Sequence, residues 1–350
     1  MKIFFFVNKN INSATARFRG YFFSNYIKSK IPSKVIRIDE IYNRYFFNLS
    51  RLKKFIQYIV FFKNSKKNEI IYLVKTVYNI DFLLAILVAK FFFRKKIIFD
   101  FDDAIYLKPF TKRSTRVLVT IADLVMVGSS TLLNWSKKHN DNSYKLPTSI
   151  PHNIYKKLPK KKERVFTIGW IGNGNNHYKN LILLKPVLED LIKKKVSFKF
   201  RVIGVANNQE ILKLFRSIKG LNFEFKNQIK WKDPNVVVKE IKKFDVGVMP
   251  LVKDQKTLGK CAFKIIEYMG SGTPVIASSV GENRIVINNK LDGILCNNTK
   301  DWVKNIILLK SNKKIKMKLV DNALIKVEKF YSLKSNTQRL EKALNKLNVS

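Results

Sequence analysis

Residues 245–278 read DVGVMPLVKDQKTLGKCAFKIIEYMGSGTPVIAS, and the period of the apolar residues changes twice within them. Asp245–Met249 is a short β-branched run closed by Pro250, which has no amide with which to continue a central ladder. A loop follows. Phe263, Ile266 and Met269 then recur at helical spacing, so a helix is expected over 261–270, beginning near Lys260. Residues 274–278 form a second apolar run. Strand, helix, strand is the repeating unit of a parallel sheet.

The same alternation extends in both directions. Upstream, strands are expected at 2–7, 34–37, 70–74, 97–101, 123–128 and 143–146. Helices are expected near 14–30, 49–63, 79–93, 112–121 and 130–138. A second series of strands fits 165–171, 198–204, 221–226, 245–249, 274–278 and 293–296. Its helices lie near 178–194, 208–218, 235–243, 261–270 and 299–310, and two more close the chain at about 313–330 and 333–348. Between the series, Pro147 to Arg164 holds three prolines and the charge run Lys160-Lys161-Lys162-Glu163-Arg164, with no periodic apolar pattern. The expected fold class is α/β, with two Rossmann-like doubly wound domains facing a cleft. The expected boundaries are 1–150, a hinge linker at 151–164, 165–330, and a C-terminal helix at 331–350. Ligands bind such sheets at the carboxyl ends of the strands, an outline shared by dehydrogenases, periplasmic binders and nucleotide-sugar enzymes.

Composition narrows the classes. With 46% hydrophobic residues in 350, the chain has material for two cores, which excludes wholesale disorder. Two cysteines, Cys261 and Cys296, exclude a disulfide scaffold and a Cys-rich zinc module. His139, His152 and His177 share no metal-ligand spacing. The net charge of +43 is spread evenly, and only 13 of the 68 basic residues are arginine. A dedicated nucleic-acid binder concentrates its charge and favours Arg. No specific nucleic-acid partner is therefore expected, although anionic membranes and nucleotides should be attracted.

Met1–Val7 is apolar, but Asn8-Lys9-Asn10 follows at once, so it reads as a first strand and not a leader. The longest apolar run, Phe82–Phe93, contains Lys90 and falls short of the roughly 20 residues of a spanning helix. FIQYIVFFKNSKK, 55–67, is an apolar helix ending in lysines, readable as core or as a dock for anionic lipid headgroups.

Four stretches can carry chemistry. On the helix of the opening stretch, Lys260, Lys264 and Glu267 are spaced i, i+4, i+7 and should share a face. Two ammonium groups and a carboxylate there suit the phosphates and ribose of a nucleotide diphosphate; the alternative is a solvated Glu–Lys face. In IGWIGNGNNHYKNLILL, 168–184, Gly172 and Gly174 let backbone approach an anion. The third glycine of a dinucleotide fingerprint is missing. Lys179 there is a phosphate ligand or a surface lysine, and His177 is read as a loop residue. IIFDFDDAIY, 97–106, places Asp100, Asp102 and Asp103 at a strand end, where they either face the cleft or cap the next turn. In NSATARFRGYFF, 12–23, Arg17 and, less centrally, Arg19 could meet an anionic acceptor or a donor phosphate.

FKIIEYMGSGTPVIAS, 263–278, resembles the donor-site signature of retaining glycosyltransferases of family 4, the group 1 glycosyltransferases, which have the GT-B fold. The resemblance implies that Glu267 holds the ribose diol. Gly172, Gly174, Lys179, Lys260 and Lys264 would contact the donor, and Asp102 or Asp103 would serve catalysis near the transferred sugar. Asp245–Pro250, Val280-Gly281 and Leu291–Leu295 fit the family's neighbouring elements. Three positions depart from it. Gly259 stands where another Glu is common, Asn173 where an Arg is usual, and Ile285 where a carboxylate is usual. Asp100-Phe101-Asp102 also matches the Asp-x-Asp pattern that binds Mn²⁺ in the other glycosyltransferase fold, but the GT-B resemblance implies no metal and no cofactor. The implied partners are a nucleotide sugar, a glycan or lipid-linked acceptor and an anionic membrane. The implied location is cytoplasmic, peripheral on the inner face of the membrane. The implied activity moves a sugar to a cell-surface polysaccharide or glycolipid with retention of configuration. A nucleotide-sugar epimerase of the same fold and a non-catalytic basic module are the alternatives.

Overall fold

The computed structural model describes residues 1–38, 49–75, 79–159 and 164–349. The charge run at 160–163 lies outside them. The chain divides into two compact units. One comprises Met1–Thr148, Gly259–Cys261 and Asn336–Ser350, the other Ser149–Leu258 and Ala262–Ser335.

In the first unit, β1 (Lys2–Val7), β2 (Ser33–Arg37), β3 (Glu69–Val74), β4 (Lys96–Phe101), β5 (Leu124–Val127) and β6 (Ser143–Lys145) form one sheet in the order β2-β1-β3-β4-β5-β6. Every pairing is parallel. Strands such as KIFFFV and EIIYLV are apolar without interruption because helices cover both faces, so neither face can be polar. Phe4, Phe6, Phe62, Phe82, Phe99 and Phe101 fill one side of the core. The winding direction reverses between β1 and β3, which puts the topological switch point at their carboxyl ends.

The second unit repeats the plan in another order. Here β7 (Thr167–Ile171), β8 (Lys199–Ile203), β9 (Phe223–Lys226), β10 (Val246–Met249), β11 (Val275–Ser278) and β12 (Ile294–Cys296) run β12-β11-β10-β7-β8-β9, all parallel. The reversal falls between β7 and β10, so this sheet's crevice lies beyond Ile171 and Met249.

All twelve expected strands are present. Short unexpected helices appear at Ile105–Leu107, Gln255–Leu258 and Asn283–Val286, and the expected helices change in ways that bear on the site. The helix expected from Lys260 begins at Phe263, because Ala262 takes a left-handed φ of 53°, which a right-handed helix cannot pass through. Lys260 therefore does not share a helix face with Lys264 and Glu267. The segment expected as one helix over 178–194 is broken into Tyr178–Leu181, a 3₁₀ turn Ile182–Leu184, and Lys185–Lys193. Pro186 sits in the first turn of the last of these, where its missing amide costs the helix nothing and it cannot donate to the turn before. The first helix opens as a π-helical turn, Ala16–Tyr21. Finally, the expected linker contains a helix, His152–Lys157, which begins just after Pro151 and buries His152 and Tyr155.

Candidate active site

The second unit builds its site on the switch point. Gly172 follows β7, and its amide donates to the Ile203 carbonyl at 3.0 Å, while the Gly174 amide donates to the Gly204 carbonyl at 2.8 Å. These loops are packed glycine against glycine. A Cβ at Gly174 would fall 2.4 Å from the Val205 oxygen, and one at Gly172 would fall 2.4 Å from Lys264 Cε. Gly172 is thus the groove through which the Lys264 stem runs.

Lys264 and Glu267 stand on the helix Phe263–Gly270, three residues apart and hence on one face. Lys264 Nζ lies 3.1 Å from His177 Nε2 and 5.4 Å from the Trp170 ring centroid. Glu267 is only 7% exposed, so the solvated-face alternative does not describe it. Its Oε1 accepts from the Tyr155 hydroxyl at 2.9 Å. The next residue, Tyr268, ties the helix to the sheet: its hydroxyl accepts from the Ile171 amide at 3.1 Å and reaches the Val248 carbonyl at 3.4 Å. Glu267, Lys264, Gly172 and Gly174 are brought together around this crevice. Lys179 stands exposed on the short helix Tyr178–Leu181, as the surface-lysine alternative has it. Asn173, in the place of the family's arginine, spends its side chain on the Asn175 amide at 3.1 Å.

In the first unit, polar groups gather beyond β1, β3 and β4. Asp100 is buried and accepts from Arg19 Nε at 2.6 Å and from the Tyr72 hydroxyl at 2.5 Å. Burial pushes its carboxyl up to about 6 against the opposing pull of Arg19. Arg19 also donates to the Leu146 carbonyl and Thr148 Oγ1. It is a buried brace of the fold and is not available to a ligand. Arg17 is likewise buried, with Nη1 donating to the Ile11 and Asn12 carbonyls at 3.2 and 3.1 Å, so it supports the loop after β1.

Asp102 lies within 3.0 Å of the Thr15 hydroxyl through both oxygens. Lys75 Nζ donates to Thr15 Oγ1 at 3.1 Å and to Asp103 Oδ2 at 3.0 Å. The two neighbouring carboxyls are driven apart. Burial raises Asp102, whereas the Lys75 ammonium holds Asp103 well below the usual carboxylate range, helped by Lys260. Such a split suits one group to carry a proton and its neighbour to stay ionised. Lys75 reaches this position with a left-handed φ of 70°, a strained state for a lysine. Lys260 stands in the first unit, where its charge acts on Asp103. Gly259 is closed in: a Cβ there would fall 2.7 Å from Ala104 Cβ. The glutamate common in the family has no room at this position.

Among the described residues no group of three His, Cys, Asp or Glu side chains could hold a metal ion. Asp100 and Asp102, the Asp-x-Asp pair, are committed to Arg19 and Thr15 respectively. Thr15, Lys75 and Tyr155 are not singled out by the sequence, and His177, expected as a loop residue, stands at the site. Lys75 could have been found from its place directly after β3, and Tyr155 from its i, i+3 spacing with His152.

Residues 165–312 match the family model described as "Glycosyl transferases group 1". No curated protein matches the chain. Among solved structures, Anabaena HepE in complex with UDP and glucose is 14% identical, covers 99% of both chains and superposes with a TM-score of 0.70. A glycosyltransferase from Rickettsia africae is 15% identical over 100% of this chain and 99% of its own, with a TM-score of 0.75. The lipopolysaccharide outer core galactosyltransferase WaaB, in its apo form, is 15% identical over 99% of each chain, with a TM-score of 0.67. The family match spans most of the second unit, and the two-sheet fold of these glycosyltransferase structures is shared along the whole length.

Proposed function

We propose that the second unit binds a nucleotide diphosphate sugar at the β7–β10 switch point, and that the enzyme transfers the sugar, with retention, to a cell-surface polysaccharide or glycolipid. The observation carrying this reading is the buried Glu267 and the Lys264 ammonium one helical turn apart beside Gly172 and Gly174. Glu267, oriented by Tyr155, would accept the ribose hydroxyls. Lys264, its stem lying in the groove at Gly172, would meet the diphosphate. In a retaining front-face transfer, negative charge develops on that diphosphate as it leaves, so a fixed ammonium lowers the barrier by electrostatic stabilisation and no metal is required. Asp103 and Asp102 of the first unit, with Lys75, are assigned to the acceptor and the transferred sugar.

UDP is the first probe, since HepE was solved with it. In calorimetric titration at about 0.15 M salt, Glu267→Gln should weaken UDP binding roughly 10- to 100-fold, the worth of a charged hydrogen bond. Unchanged affinity would refute the site.

A peripheral membrane location is part of the same proposal. Among the described residues no helix is long and apolar enough to cross a membrane. The helix Leu49–Asn64 nevertheless leaves Leu52, Ile56 and Val60 exposed along one stripe, with Lys53 and Lys63 beside them. Phe91, Phe92 and Arg94 follow at the end of the helix packed against it. Apolar side chains ringed by lysines fit the headgroup boundary of an anionic bilayer.

A further inference from the structure

His177 is 6% exposed and lies edge-on to Trp170, with ring centroids 5.3 Å apart at 63°. Its Nε2 faces the Lys264 ammonium at 3.1 Å. Its Nδ1 lies 3.4 Å from Asn180 Nδ2. The Asn180 amide cannot turn around to help, because its Oδ1 already accepts from the Val252 amide at 3.0 Å. Both ring nitrogens therefore face N–H donors. A neutral imidazole can accept at one of them, whereas an imidazolium can accept at neither. The helix Phe263–Gly270 turns the Lys264 ammonium toward the ring and carries the Glu267 carboxylate on the same face. Strand β7 contributes the neutral Trp170, and the ring's own short helix contributes the neutral Asn180.

Without a ligand, protonating His177 would place a second positive charge 3.1 Å from the first, in a site that excludes water from the ring. An arriving diphosphate reverses the balance, because anionic oxygens at Lys264 favour positive charge on both partners. The Lys264 stem runs between Gly172 and the fully buried Trp170, which sets the ammonium beside the ring.

We propose that His177 is the positioning residue of Lys264, and that this pair takes up a proton from solvent when a nucleotide diphosphate binds. The proposal rests on the donor site above and adds its protonation state. It explains why a histidine, which changes charge near neutral pH, is placed against the phosphate lysine. Binding should tighten as pH falls, since the bound state holds the extra proton.

The test is calorimetry with UDP near pH 7 in two non-phosphate buffers of different ionisation enthalpy, which counts protons taken up per ligand. The comparison is with His177→Gln, which keeps an acceptor within reach of Lys264 but cannot titrate. Because UDP's own terminal phosphate titrates equally in both cases, the difference between the proteins isolates His177. The wild type should take up about 0.3–1 proton more than the variant. Its UDP affinity should gain up to about 10-fold relative to the variant between pH 8 and pH 6, as expected when the bound state holds one proton about ten times more tightly than the free state. Lys264→Met, which removes the other partner, should abolish the same excess and serves if His177→Gln does not fold. Equal proton counts in proteins that all bind UDP would overturn the inference and leave the donor site standing. Failure of the wild type to bind UDP, GDP or ADP would overturn the donor site and this inference with it.

Discussion

Substituting Gly172 by alanine tests whether the groove beside Lys264 is what aims its charge. Gly172 does not occupy the left-handed region, so alanine is allowed there by its backbone. The added Cβ would fall 2.4 Å from Lys264 Cε and 3.0 Å from two ring carbons of Trp170. Trp170 is fully buried and cannot yield; the lysine stem can. The variant should therefore fold and lose the aim of its ammonium. The loss is one charge-assisted hydrogen bond, about 1.5–3 kcal/mol, or roughly a 10- to 150-fold rise in the Kd for UDP. Its melting temperature should move by no more than about 4 °C, the equivalent of about 1 kcal/mol in a unit of this size. Gly204→Ala is the contrast. Gly204 has φ +89°, and its Cβ would lie 2.0 Å from the Gly172 carbonyl oxygen and 2.7 Å from Trp231. There the obstacle is backbone, so stability should suffer first, with Tm falling by about 6 °C or more. Calorimetric titration and thermal melting of both variants separate the cases. A Gly172→Ala protein with wild-type UDP affinity, or one as unstable as Gly204→Ala, would show that the groove does not aim the charge.

Three further outcomes follow from the first unit. Asp100→Asn leaves the Arg19 guanidinium buried without its carboxylate and should cost about 3–5 kcal/mol, read as a fall in denaturation midpoint; a loss under about 1 kcal/mol would show that Arg19 is satisfied otherwise. Lys75→Met removes the charge that depresses Asp103. Carboxyl NMR titration should then show the Asp103 midpoint move up towards the ordinary aspartate range, whereas an unmoved midpoint would assign the depression to another group. In the wild type the ionised Asp103 favours the folded state above the unfolded midpoint of about 3.9, and this contribution fades as pH falls through the lower folded value. Because its side chain is 42% exposed, the stability share is small, so the titration is the better readout. Ile56→Glu combined with Val60→Glu should abolish flotation with vesicles containing anionic lipid while leaving UDP affinity unchanged; retained flotation would move the membrane contact elsewhere.

The two-sheet architecture was legible because each strand is a continuous apolar run between turn residues, and a strand buried on both faces admits few substitutes. Glu267, Lys264, Gly172 and Gly174 were legible because one helix and one loop carry them locally. The features that were not legible are set by tertiary geometry. Nothing in the run KCAFK signals that Ala262 turns left-handed, so apolar spacing alone assigns Lys260 to a helix that it never joins. The proline-rich stretch before Arg164 conceals the helix that delivers Tyr155 to Glu267. Thr15, Lys75 and Asp103 lie far apart in the chain and meet only because β1, β3 and β4 stand side by side.

The membership of the two units also governs how the protein can be taken apart. Gly259–Cys261 and the residues from Asn336 onward belong to the first unit, although the chain of the second surrounds or precedes them. Ser129 Oγ donates to the Gly259 carbonyl at 3.2 Å, and Asn336 Nδ2 donates to the Pro147 carbonyl. A fragment cut after Thr148 would lack both partners, exposing Ser129 and Pro147 along with the apolar surface under the last helix. No single cleavage yields two whole pieces, so the covalent order of the chain makes each unit's completion depend on the synthesis of the other.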